Sequence, residues 1–336
     1  MKKVVTLGEV MLRLAPPNNT RFTQAQSFNA TYGGGEANVA ASLTQFGIPA
    51  AHVTAFPKNE IGDAAVNYYK QLSVETTHML QRGKRIGTYF VEFGSALRAS
   101  KIIYDREYSA MAMAQPEWFD WDEIFKGAGW FHWTGITPAL SENCLQITKQ
   151  AIQKASEKGI TISADVNYRS NLWQYGKTAQ EIMPDLVNGC DIITCSERDA
   201  SDIFGIEVVA GIENTFINSS VQMMAAFPKV KKILTTRRTT HSASHNALKG
   251  IMYDGLVYTE SQTIDIEPII DRIGGGDAFI AGYIYGELML ETAKEALDFA
   301  VAASALKHTI NGDVNLVSVE EVNDIVAGDT SGRIKR

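Results

Sequence analysis

Asp271-Arg272-Ile273-Gly274-Gly275-Gly276-Asp277-Ala278-Phe279 runs three glycines into an aspartate. The apolar residues that follow, Phe279, Ile280, Tyr283, Ile284 and Leu288, recur at helical spacing, which predicts a helix starting at the triplet. A helix N-terminus leaves backbone N–H groups unpaired and carries positive partial charge. Glycines let an anion come close to that backbone, so phosphate is the natural guest. A carboxylate in the first turn, Asp277, is then a candidate base for a hydroxyl beside the phosphate. The plainer alternative is a glycine turn followed by a helix-capping aspartate.

Working outward, apolar runs alternate with helical patterns. Val4–Leu7, Val53–Phe56, Trp130–Trp133, Ile160–Val166, Ile192–Thr194 and Lys232–Thr236 read as strands. Helices are expected over 61–72, 140–156, 275–289, 293–308 and 319–326, with a late hairpin over 250–260. Such alternation implies a parallel sheet covered by helices on both faces, with ligands bound at the carboxyl ends of its strands. A second glycine loop, Tyr32-Gly33-Gly34-Gly35-Glu36-Ala37-Asn38, opens a helix of small residues ending at Gly47. Its backbone can approach a ligand, and Asn38 can hydrogen-bond hydroxyls. From Gly87 to Tyr104 the pattern becomes β-rich with no intervening helix, a hairpin inserted into the series. It is expected to form a lid with strands from roughly residues 11–30.

The 336 residues, 45% of them hydrophobic, allow a large core. A net charge of −7 argues against a nucleic-acid surface. Cys144, Cys190 and Cys195 have no CxxC spacing and are expected to be reduced core residues. The six histidines, 52, 78, 132, 241, 245 and 308, show no zinc-type spacing. No stretch has the length of a membrane span and no signal peptide is evident, so a cytoplasmic location is expected. The first strand ends Gly8-Glu9-Val10-Met11 without GxGxxG, which argues against a dinucleotide dehydrogenase.

Together the two glycine loops resemble the signatures of the ribokinase-like (PfkB) carbohydrate kinase family. Gly34-Gly35-Glu36-Ala37-Asn38 through Gly47 matches the first signature, with Pro57 where a glycine is usual. The late loop matches Asp-Thr-x-Gly-Ala-Gly-Asp, with Arg272 for Thr and Gly275 for Ala. The resemblance runs from Gly8 to about Asp313. It implies a three-layer α/β/α fold with a mostly parallel central sheet and a small β-sheet lid. The expected division is a core of 1–10, 34–86 and 108–330 and a lid of 11–33 and 87–107. Tyr89, Tyr104 with Arg106, and Arg169 after Asn167-Tyr168 further resemble the sugar-acid kinases of that family, those acting on 2-keto-3-deoxygluconate. A carboxylate substrate gains charge-assisted hydrogen bonds from guanidinium groups that a neutral sugar does not need.

The resemblance implies ATP-dependent phosphorylation of 2-dehydro-3-deoxy-D-gluconate on its terminal hydroxyl, with Asp277 as base and the Gly274, Gly275 and Gly276 amides stabilising the phosphoryl group. Gly34, Gly35, Asn38, Tyr89, Tyr104, Arg106 and Arg169 are the expected acceptor contacts. Thr235, Arg237, Ser242, Gly274, Gly276 and Asp313 are expected at the nucleotide, and Glu197 at magnesium through water. The Asn of the family's Asn-x-x-Glu is absent from Thr194-Cys195-Ser196-Glu197. ATP and Mg2+ are the implied cofactors, with a monovalent cation left open, and a homo-oligomer is expected from the open lid edges. The alternatives are another sugar kinase such as a fructokinase, and a non-catalytic sugar- or nucleotide-binding regulator. Ser242-Ala243-Ser244-His245-Asn246 has no assigned role.

Overall fold

The computed structural model describes residues 2–330 and Gly332. In chain order its strands are β1 (Lys3–Leu7), β2 (Met11–Ala15), β3 (Asn29–Gly33), β4 (Ala50–Phe56), β5 (Met79–Gln81), β6 (Gly87–Glu92) and β7 (Lys101–Asp105). There follow β8 (Ala128–Thr134), β9 (Thr161–Asp165), β10 (Ile192–Thr194), β11 (Lys232–Ser242), β12 (His245–Tyr253), β13 (Tyr258–Glu260) and β14 (Ile264–Ile266). The main sheet has the order β13-β12-β11-β10-β9-β8-β1-β4-β5, with β14 on β12. From β11 to β5 every pairing is parallel, and β12, β13 and β14 join antiparallel.

Strand burial follows from covering on both faces. Val4 packs into one apolar cluster and Val5 into the other. The first cluster contains the helices Gly35–Gln45, Gly275–Met289 and Ala293–Lys307; the second contains Glu142–Glu157, Ala179–Val187 and Thr215–Ala226. The fold is therefore α/β/α, with Cys144, Cys190 and Cys195 buried as free thiols in the second cluster. No helix among the described residues is long and apolar enough to cross a membrane.

A separate four-stranded sheet, β3-β2-β6-β7, stands over the carboxyl ends of the main strands. β2 pairs parallel with β6, and β6 and β7 form the hairpin expected from the sequence. Met11, Ala15, Tyr89 and Val91 make its small apolar face, against which Ile273 of the late glycine loop packs.

Two departures from the sequence reading matter. β11 does not stop at Thr236 but continues to Ser242 and returns along β12 from His245. The Arg, Thr and His residues there carry no apolar alternation, so the strand is held by its partner and not by burial. The helices Ala179–Val187 and Thr215–Ala226 were also not anticipated; the first contains Pro184.

Candidate active site

The two glycine loops meet at the carboxyl edge of the main sheet. They line a cavity of about 350 Å³ together with Glu9, Tyr89, Tyr104, Arg106, Asp165, Arg169, Arg238, Arg272 and Asp313. A groove of about 200 Å³, lined by Asp165, Thr194, Asp199, Thr235, Thr236 and Gly276, leads off along β10 and β11.

The late loop ends in a left-handed Gly274 (φ 81°) that caps the helix Gly275–Met289. A β-carbon on Gly274 would lie 1.9 Å from the Asp313 carbonyl oxygen, so only glycine fits. The Gly275 amide donates to the Arg272 carbonyl at 3.3 Å. That corrects its expected role as an anion donor; its missing side chain instead makes room for the His308 ring. The amides of Gly274, Gly276 and Asp277 have no protein acceptor among the described residues, and a β-carbon at Gly276 would meet nothing within 4 Å. Open amides beside open space are what an anion needs.

Asp277 faces the early loop. Asn38 Nδ2 donates to its Oδ2 at 2.7 Å, and a β-carbon on Gly35 would come 3.4 Å from its Oδ1. Asn38 itself is buried, and its Oδ1 accepts from the Gly34 amide. Its amide thus joins the two loops and aims the carboxylate, and Asn38 also lines the cavity in which a sugar hydroxyl was expected. Glu36 fixes the early loop from below, accepting from Thr134 and Thr137 at 2.8 Å each. Gly34 is glycine because a β-carbon would lie 2.1 Å from the Glu9 carbonyl oxygen.

Burial pushes the Asp277 carboxyl up to about 7; the Asn38 hydrogen bond opposes this, and Asp313 and Glu36 add to it. Asp165 is likewise raised to about 7, first by burial and then by Asp277. Asp165 lines both the cavity and the groove, and its carboxylate offers the hard oxygen donors that a divalent cation takes. The residues present therefore fit magnesium, and the open amides fit the phosphates it accompanies.

One end of the cavity is built from the small four-stranded sheet. Tyr89 and Tyr104 stack with centroids 6.0 Å apart, and the Arg106 guanidinium lies 5.7 Å from the Tyr104 centroid. Arg106 donates through Nε to buried Glu9 at 2.8 Å and again through Nη2, so its charge is already partnered. Tyr89 donates its hydroxyl to Asp313. Asp313, expected at the nucleotide, lies instead at this end: a β-carbon on Gly33 would collide with its carboxylate, and the left-handed Gly312 turns it back toward the lid. Arg169 is exposed, lining the cavity, the groove and an adjoining cleft, and donates through Nη1 to the Tyr168 carbonyl at 2.9 Å.

Arg13 on β2 reaches between Asp271 and Asp313, 2.5 Å from each, with all three side chains almost wholly buried. Removing the cation would strand two buried carboxylates. Arg13→Met is expected to lose about 3–5 kcal/mol of stability, read from denaturant unfolding.

Arg237, Glu197, Ser242 and Gly275, all expected at the site, line neither the cavity nor the groove. Arg237 pairs with Glu197 and lies over the Phe216 ring, and Thr215 also donates to Glu197. Side chains alternate along a strand, so the neighbouring Arg238 faces the cavity in its place. Arg238 and Arg272 form no ion pair among the described residues. Burial and the nearby Arg272 charge lower the Arg238 pKa. Two unneutralised guanidiniums beside the glycine loop suit an anionic ligand. Sequence reasoning missed this pair, although the alternation of 237 and 238 was a usable signal.

Ser242 accepts from the Ser244 amide in the β11–β12 turn, away from the groove. That turn meets the lid, Ala243 N donating to the Ala96 carbonyl at 2.9 Å, while Arg272 holds the Ala243 carbonyl at 2.7 Å. The hairpin also groups histidines that looked unrelated in sequence: His241, His245 and Asp265 place ligand atoms within 4.8 Å of one another.

A sequence model of the pfkB family carbohydrate kinases matches residues 1–318. A 2-dehydro-3-deoxygalactonokinase of Haloferax volcanii is 31% identical over 98% of each chain. The crystal structure of a 2-dehydro-3-deoxygluconokinase from Thermotoga maritima superposes with a TM-score of 0.92 at 40% identity, covering 97% of this chain and 98% of that one. An E. coli protein solved as a ribokinase II with ATP and Mg2+ shares the fold, with a TM-score of 0.79 at 19% identity over 98% of this chain and all of its own.

Proposed function

The chain belongs to the pfkB family of carbohydrate kinases, and from that premise we propose that it transfers the γ-phosphoryl group of ATP to the terminal (C6) hydroxyl of 2-dehydro-3-deoxy-D-gluconate. The observation that carries this reading is the pairing of an aimed carboxylate with open helix-start amides: Asp277 held by Asn38, beside the partnerless amides of Gly274 and Gly276. Asp277 accepts the hydroxyl proton as oxygen attacks phosphorus. The Gly274 and Gly276 amides, with Arg238 and Arg272 nearby, stabilise charge on the moving phosphoryl group. Asp165, and Glu197 once released from Arg237, are the carboxylates that would hold magnesium, which would supply charge neutralisation at the phosphates. Thr235 and Thr236 line the path for the rest of the nucleotide. The lid, with Tyr89 over the acceptor, keeps water from competing as acceptor.

At the acceptor's acid end Arg169 is the free guanidinium, because Arg106 is partnered by Glu9. A charge-assisted hydrogen bond of about 1.5–3 kcal/mol corresponds to roughly 10–100-fold. Arg169→Ala is therefore expected to raise KM for sugar acids by that factor and to leave neutral sugars unaffected. Equal losses with fructose and the acid would remove the carboxylate clamp. The deciding experiment is an ADP-release assay on 2-dehydro-3-deoxygluconate, its C4 epimer 2-dehydro-3-deoxygalactonate, fructose and ribose. Turnover highest with a neutral sugar overturns the assignment. Binding of ATP and sugar with no ADP formed would favour a regulator instead.

A further inference from the structure

Lys307, the last residue of the helix Ala293–Lys307, is wholly buried. A lysine at that depth ordinarily has a carboxylate against it. None lies within salt-bridge range of its Nζ among the described residues. The ammonium instead donates to two backbone carbonyls, Asp271 O at 3.3 Å and Ile310 O at 3.1 Å. Asp271 opens the late glycine loop, and Ile310 stands in the turn that leads to Asp313. The Lys307 Cε would be 3.3 Å from a β-carbon on Gly274, so the side chain runs directly under the loop.

These two segments are tied at other points. The Asp271 carboxylate accepts from the amides of Ile273 and Gly312, and the amides of Ile270 and Asp271 both donate to the His308 carbonyl. What remained to be satisfied was the pair of carbonyls. Converging carbonyl oxygens in a buried place repel each other and are costly when unpaired. They also form the oxygen set that takes a monovalent cation. An ammonium on a tether supplies the same charge and donates directly to both.

We propose that the Lys307 ammonium is a built-in monovalent cation that positions the Gly274 loop, so that phosphoryl transfer by this chain needs no added potassium or ammonium ion. Lys307 touches neither substrate; it acts through the backbone of Asp271 and Ile310, and its positive charge sits beneath the helix start that receives the phosphates. The inference rests on the phosphoryl-transfer reading of the glycine loop but not on the identity of the acceptor.

The test compares wild type with Lys307→Ala and Lys307→Met, assayed in tetramethylammonium chloride with and without KCl, NH4Cl or LiCl. Wild-type rates are expected to be the same in every salt. Lys307→Ala should lose about 100-fold in kcat with the acceptor KM little changed, since misplaced amides act on the transition state. KCl or NH4Cl should restore much of that loss by filling the vacated space, and LiCl should not. Lys307→Met keeps the length, removes the charge and leaves no room for an ion, so it should be slow in every salt. Activation of the wild type by potassium overturns the proposal. So does wild-type kcat in Lys307→Ala, or a folded Lys307→Ala that no ion restores. If neither variant folds, the salt series on wild type still decides. ATP affinity by calorimetry, which needs no acceptor, should weaken in both variants; if it does while no sugar acid is phosphorylated, the acceptor assignment fails and this one stands.

Discussion

Asp277→Asn is expected to lose about a thousandfold in kcat while the protein becomes harder to unfold. The loss follows from removing the group that takes the hydroxyl proton. The gain follows from the same geometry. An unfolded aspartate titrates near 3.8, whereas burial holds Asp277 in the folded protein at about 7. Between those values the folded state binds the extra proton, so stability falls as pH rises from about 4 to 7 and stays low above. Asparagine removes that penalty, on the order of 1–2 kcal/mol once the partial exposure of the carboxylate is allowed for. The melting temperature of the variant should exceed that of wild type at pH 8 and match it at pH 4. Wild-type kcat/KM should rise with pH and level off above about 7, because the free protein must give up this proton to act as a base. A variant with turnover within about tenfold of wild type would remove Asp277 from the mechanism.

Local sequence patterns suffice to place some elements of this fold. The helix of Gly275–Met289 and its glycine start were legible because apolar periodicity and glycine punctuation are local signals. The lid hairpin was legible for the same reason. The partners of charged residues were not. Arg13 meeting Asp271 and Asp313, and Arg106 meeting Glu9, join positions far apart in the chain, and no spacing rule announces them. The same blindness placed Arg237 rather than Arg238 at the anion and left Lys307 unnoticed at the end of an alanine-rich helix. Asp313 was read from its position after a turn, and the direction of its side chain depends on the left-handed Gly312 and on Tyr89 reaching down from the lid. Charge identifies residues worth attention, but only the fold decides which charges are left unneutralised for a ligand.

The glycine loop itself gives a second large effect. Gly274→Ala is expected to reduce kcat by about 100- to 1000-fold and to destabilise the protein by roughly 2–4 kcal/mol. The position has φ 81°, which disfavours any side chain, and the added carbon would lie 1.9 Å from the Asp313 carbonyl oxygen. One of the two backbones must move. The Asp313 side is anchored, since its carboxylate is held by Arg13 and Tyr89. The glycine loop therefore shifts, taking the Gly274 and Gly276 amides away from the phosphoryl group. Gly276→Ala is the control that separates crowding of the fold from crowding of the ligand. A β-carbon there meets no protein atom within 4 Å, so the melting temperature should hold while ATP affinity falls. Should Gly276→Ala bind ATP as wild type does, the open space beside these amides is not where the phosphates lie. Should Gly274→Ala keep wild-type kcat, the charge of the transferring group is stabilised elsewhere.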